Sequence, residues 1–155
     1  MTGSKRRGAF TLIEILIVVV IMAVLAATII PQFSSSTTDA KESTAKFNLN
    51  TLRAQLQLYK IHHNGVAPPR VNNLDELVNK TDAAGNMGNT VGVHVFGPYL
   101  QKVPANPFTG QDTIKDAGAT GVPGPSGAAD AGWLYREATG EIWLDDARTS
   151  QEEYQ

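Results

Sequence analysis

Cysteine is absent from the 155 residues of this chain. That excludes disulfides, thiolate nucleophiles and cysteine-bound zinc, and leaves the compartment open. Histidine is scarce: His62, His63 and His94 are all there are, too little for an imidazole-rich metal or catalytic centre. A formal net charge of -2 offers no positive field for nucleic acid, so no nucleic-acid partner is expected. Nucleophile elbow, phosphate loop, metal-ligand pair and Rossmann fingerprint are missing as well. His62 and His63 are adjacent, which on a helix points them about 100° apart. They cannot easily share a metal and read as a solvated helix end; His94 reads as a strand residue. The chain is expected to be a substrate of processing enzymes and not an enzyme.

What the sequence does have is one long apolar run, "KRRGAFTLIEILIVVVIMAVLAATIIP", from Lys5 to Pro31. Between Ala9 and Ile30 only Thr11, Glu14 and Thr28 are polar. As a helix the run covers roughly 33 Å, enough to cross a hydrocarbon core of roughly 30 Å. Lys5, Arg6 and Arg7 precede it and the next basic residue is Lys41. This bias keeps the N-terminus in the cytoplasm and exports the rest. Three readings compete: a signal peptide cleaved after "VLA" (Val24–Ala26), a plain single-span anchor, and a segment cut just before Phe10 so that the apolar run is retained. Glu14 discriminates, because an unpaired carboxylate in hydrocarbon costs several kcal/mol, on the order of 3 or more. Neither of the first two readings gains anything from it. A cut before Phe10 creates an α-amino group four residues away, an opposite charge that offsets the desolvation cost. If that amine belongs to a neighbouring subunit, the pair also sets the register between subunits.

"RRGAFTLIEILIVVVIMAVLAATIIPQF" resembles the N-terminal cleavage and methylation segment of type IV prepilins and type II secretion pseudopilins. The resemblance implies a prepilin peptidase that cuts between Ala9 and Phe10 and N-methylates Phe10. Glu14 then falls at the fifth mature position and Pro31 at the twenty-second, where the family has a glutamate and a proline. Two departures stand out. The family usually has glycine immediately before the cut, whereas Gly8 is one residue early and Ala9 occupies the site; and Ala23 stands where a mid-run glycine is common. Cleavage leaves 10 basic against 15 acidic side chains. Ala23, Ala26 and Ala27 could allow close helix approach in an assembly, or be apolar filler.

Beyond Pro31, which should kink the helix rather than end it, "SSSTTD" is a weak helix former. Ala45, Leu49, Leu52, Leu56 and Tyr59 then form one helical stripe, which Phe47, Ala54, Leu58 and Ile61 are expected to widen. Lys41, Glu42, Lys46 and Arg53 read as a solvated face. "HHNG" should end the helix, with Gly65 at positive φ. "VNNLDELVNK" (Val71–Lys80) predicts a short helix capped by Asn73 with Glu76 three residues on, and Val91–Phe96 a strand. "GWLYREATGEIWL" (Gly132–Leu144) predicts a hairpin turning at Gly140, with Trp133, Tyr135 and Trp143 on one face. "GATGVPGPSGAA" (Gly118–Ala129) reads as a flexible surface insertion.

"GPYLQKVPANPFTG" (Gly97–Gly110), followed by "GWLYREATGEIW", narrows the resemblance to the major pseudopilins of type II secretion, the protein G family. It implies an α+β, pilin-like fold: a long N-terminal helix, its first half transmembrane, with a small antiparallel sheet packed on its C-terminal half. The expected divisions are a leader (1–9), a transmembrane and filament-core helix (10–30), an amphipathic half (31–63) and a periplasmic globular domain with Gly/Pro-rich loops (64–155). The implied function is a subunit polymerised from the bacterial inner membrane into a periplasmic pseudopilus that drives export through the outer membrane. Implied partners are further copies of itself, the prepilin peptidase, membrane lipid, the inner-membrane assembly platform and minor pseudopilins. The family also orders its C-terminal loop with calcium. Candidate ligands are Asp130, Asp145 and Asp146, ahead of Asp112 and Asp116, with solvated loop acids as the alternative. A type IV pilin of a surface fibre and a soluble protein behind a conventional signal are the competing functional readings.

Overall fold

A computed structural model describes residues 10–124 and 131–146, with the side chains of 30–35 undescribed. The chain divides into two compact units, 1–40 and 41–155. Helix α1 spans Leu12–His62, 51 residues, and runs without interruption through Pro31 and the serine–threonine stretch. In the first unit it is a bare apolar rod: Leu12–Ile29 has a mean hydropathy of 3.0 and none of it is buried.

The second unit is built on the C-terminal part of α1. Its elements are a 3-10 helix (Asp75–Leu77) and strands β1 (Ile114–Asp116), β2 (Trp133–Arg136) and β3 (Glu141–Leu144), in spatial order β1-β2-β3. The sheet is mixed, not wholly antiparallel: β2 and β3 form the expected hairpin, but β1 runs parallel to β2. The segment 117–132 between β1 and β2 is long enough for the crossover that a parallel pair requires. The hairpin turns through Gly140 at φ 73°, a left-handed conformation that glycine adopts without cost.

Ala45, Leu49, Leu52, Leu56 and Tyr59 are all buried and pack with Trp133, Tyr135, Ile142 and Leu144, together with Leu74, Leu77, Val103 and Ile114. The hairpin register pairs Leu134 with Trp143. Trp143 therefore joins Leu134 and Ala117 on the outer face, and not Trp133 and Tyr135 as the sequence predicts. There the Arg136 guanidinium lies 4.7 Å over the Trp143 ring. Phe47, Leu58 and Ile61 do not widen the buried stripe. They are 71%, 40% and 75% exposed, since at about 100° per residue they lie opposite Leu49, Leu52 and Leu56.

Two local expectations fail. Val71–Lys80 is not an α-helix and Asn73 is not its cap. Asn73 and Leu74 both take positive φ. The Asn73 side chain instead reaches β1: its Oδ1 accepts from the Ile114 amide at 2.7 Å and its Nδ2 donates to the Asp112 carbonyl at 3.3 Å. The 91–96 segment is not a strand either. The amides of Val93 and His94 turn back to the Thr90 carbonyl and Gly92 sits at φ 81°, so only Phe96 pairs, in a single bridge to Thr81.

Candidate assembly site on the N-terminal helix

The predicted cleavage junction is Ala9–Phe10. Ala9 and Gly8 lie outside the described residues, while Phe10 is described and 83% exposed. Thr11 and Glu14 form a reciprocal cap at the start of α1. The Glu14 carboxylate accepts from the Thr11 amide at 2.8 Å and from its hydroxyl at 2.9 Å, while the Glu14 amide lies 3.3 Å from Thr11 Oγ1. This is a capping box, satisfying donors that the first turn of a helix otherwise leaves unmet. Further along the span, the Thr28 hydroxyl reaches the carbonyls of Val24 and Leu25 at 3.1 and 3.0 Å. All three polar residues of the apolar run are thus satisfied within their own helix. Thr11 is the site residue that sequence reasoning missed, although T-x-x-E ahead of an apolar run is its visible signal. The Glu14 hydrogen bonds leave its negative charge uncancelled: the described residues it contacts supply neutral donors, not a cation.

Pro31 lies inside α1. The helix continues past it, as the sequence predicts.

In the second unit, "PANPFTG" is organised by Asn106, fully buried. Its Nδ2 donates to the carbonyls of Gly132 (3.0 Å) and Asp145 (2.8 Å), and its Oδ1 accepts from the Phe108 amide (2.9 Å). One side chain therefore joins this loop to the residue before β2 and the residue after β3. The Trp133 indole donates to the Pro104 carbonyl at 2.8 Å, a second tie to the same loop.

The histidines are not a solvated helix end. His63 is buried against Tyr59, and His62 is half-buried with its Nδ1 3.0 Å from the Tyr99 hydroxyl. His94 is a loop residue whose Nδ1 accepts from the Thr90 amide. Of the acids considered for calcium, Asp145 and Asp146 are each 3% exposed, Asp130 lies outside the described residues, and Asp112 and Asp116 are exposed. Among the described residues no group of three His, Asp or Glu side chains is placed to hold a metal.

Burial shapes the remaining ionisable groups. Desolvation, with the negative charge of Glu76 next in importance, pushes the Tyr59 hydroxyl up to about 12. Desolvation also raises Tyr135, whose hydroxyl donates to the Pro68 carbonyl at 2.8 Å, and Glu76, whose Oε2 has no hydrogen-bond partner.

Two family models match in tandem. Residues 4–30 match the prokaryotic N-terminal methylation motif, and residues 32–128 match type II secretion system (T2SS), protein G. The type II secretion system core protein G of Pseudomonas aeruginosa is 36% identical over 104 residues, 67% of this chain and 70% of that protein. The Aeromonas hydrophila protein of the same name is 30% identical, covering 68% and 70%. That of Escherichia coli K12 is 29% identical over 152 residues, covering 97% and 94%. No solved structure matches. With the protein G model covering more than half of its length, directly after the methylation motif, the chain belongs to the type II secretion system protein G family.

Proposed function

We propose that the chain is the major structural subunit of a type II secretion pseudopilus, anchored by α1 in the inner membrane and then assembled through that same helix. The observation that carries this reading is an uncovered apolar span with a single carboxylate, Glu14, four residues after Phe10, directly ahead of a protein G domain. Cleavage between Ala9 and Phe10 removes Lys5, Arg6 and Arg7 and leaves an N-methylated amine on Phe10. The positive-inside bias puts the leader in the cytoplasm and residues 41–155 in the periplasm. The capping box supplies Glu14 with hydrogen bonds while the subunit waits in the bilayer, but no counter-charge. In the filament, the Phe10 amine of a neighbouring copy supplies that charge. Apolar helix packing contributes most of the affinity, and the ion pair sets axial register, because a misaligned carboxylate stays buried without a cation. The prepilin peptidase, assembly platform and minor pseudopilins are the partners this cycle requires.

Mass spectrometry of the mature chain tests the reading: N-methyl-Phe10 is expected, and a new N-terminus near Ala27 overturns it. Calcium is the one ion the reading includes. The two sequential buried acids Asp145 and Asp146 present hard oxygen donors of the type it takes. Thermal unfolding in calcium against magnesium or EDTA should show a calcium-specific gain; no gain removes the ion from the account.

A further inference from the structure

Arg53 reads as solvated in the sequence, but in the fold it is half-buried. With Gln57, one turn further along α1, it lines a cleft of about 560 Å³ whose other walls are the β2–β3 hairpin and Gly121–Val122. The two arginines of this cleft differ. Arg136 is fully engaged: its Nε donates to the Gly118 carbonyl at 2.9 Å, its Nη2 to the Gly121 carbonyl, and its Nη1 to Glu141 Oε2 at 3.0 Å. The Thr139 hydroxyl donates to the same Glu141 oxygen at 2.6 Å, so Glu141 is committed to Arg136 and the turn. Arg53 has five N–H donors. Among the described residues it makes one hydrogen bond, a long one of 3.4 Å from Nη2 to the Ile142 carbonyl. Burial pulls its pKa below the ordinary arginine value, and the charge of Glu141 offsets only part of that. A half-buried guanidinium without a carboxylate of its own is a site for one, since its fork matches both carboxylate oxygens. Lys60, two turns beyond Arg53, donates to the Thr139 carbonyl at 3.0 Å and adds positive charge beside the cleft.

We propose that the cleft of Arg53 and Gln57 is a carboxylate-binding site whose occupant is the acidic segment 151–154 of the same chain, held through Glu152 and Glu153 across the outer edge of β3. Charge selects this segment. Adjacent acids occur three times in the sequence. Asp75 and Glu76 form the 3-10 helix, where Glu76 is buried, and Asp145 and Asp146 are buried as well. Glu152 and Glu153 are the third pair, in the stretch 147–155 that follows β3 and lies outside the described residues. Reach allows the contact. The Arg53 guanidinium meets β3 at Ile142, four residues back from Asp146, or about 13 Å along a strand. From Asp146 to Glu152 is six residues, which extend up to about 20 Å. The fold also gives the contact a use. β3 is an edge strand, and an open edge invites pairing with other chains unless a loop or charged side chains cover it.

The test exploits the lack of native cysteine and uses the full chain in detergent micelles. On mild oxidation, Gln57→Cys combined with Gln151→Cys should form a disulfide within one chain. It should do so at least about fivefold faster than Gln55→Cys combined with Gln151→Cys, because residue 55 lies about 200° around the helix from residue 57. Adding Glu152→Gln and Glu153→Gln to the first pair should abolish that advantage. Equal rates for the two pairs, a bond formed only between chains, or an advantage that survives loss of both acids overturns the proposal. A second measurement leaves α1 unaltered: the Arg53 15Nε–H signal should shift when Glu152→Gln and Glu153→Gln are made in the otherwise native chain, and an unmoved signal defeats the proposal on its own.

Discussion

Replacing Asn106 with alanine is expected to be among the most damaging polar substitutions in the second unit. The side chain is fully buried and holds three backbone groups: the carbonyls of Gly132 and Asp145 and the amide of Phe108. Alanine removes that side chain from all three, although the Gly132 carbonyl keeps the Asp145 amide at 3.1 Å. An unmet buried group costs about 1–3 kcal/mol. With the Gly132 carbonyl still paired, the loss from the other two is about 2–6 kcal/mol. Total stabilities are about 5–15 kcal/mol, so the loss is a large part of the margin. Urea unfolding of the full chain in micelles, followed by the fluorescence of buried Trp133 and Trp143, measures it. Asn106→Asp separates hydrogen bonding from packing. It keeps an acceptor for Phe108 but turns a carboxylate oxygen toward two carbonyls, so it should cost at least as much as alanine. A loss below about 1 kcal/mol for Asn106→Ala, or an aspartate variant as stable as the parent, would refute the reasoning.

Glu14→Ala and Glu14→Leu should leave cleavage and membrane insertion intact and impair filament formation; normal filaments from either variant would remove the register role. Gly132→Ala should destabilise the sheet, because a Cβ there collides with the Gln111 carbonyl oxygen, a backbone atom that cannot swing aside; an unchanged denaturation midpoint would contradict this. Alkaline titration followed by tyrosinate absorbance should place Tyr59 near 12. The folded chain holds that phenol neutral, so the associated stability is intact below the ordinary value of about 10 and lost between there and about 12. Ionisation of Tyr59 at its ordinary value in folded protein would show that the burial is wrong.

The apolar span, its basic flank and the stripe Ala45–Tyr59 were legible because each is a periodic local pattern, and period alone fixes which face of a helix is oily. The hairpin was legible for the same reason, with Gly140 marking its turn. Glu14 was singled out by its cost in oil, yet its partner Thr11 went unnoticed, although the capping spacing lies in plain view. The side of the hairpin taken by Trp143 was not legible. Alternation says that neighbours face opposite ways, but only the pairing of Leu134 with Trp143 says which way.

By itself, then, the sequence determined a helix too oily for water along its first half, an acid set inside that oily run, and a two-stranded turn of aromatics. These follow from side-chain solvation and short-range geometry. Tertiary structure decided the rest. It sent Asn73 to β1 instead of a helix cap, made Asn106 the tie between a loop and two strands, left β1 parallel to β2, and buried His63 between two carbonyls. Each of these involves a backbone group 19 or more residues away, and a polar side chain carries no record of which distant carbonyl or amide it will meet until the chain has closed around it.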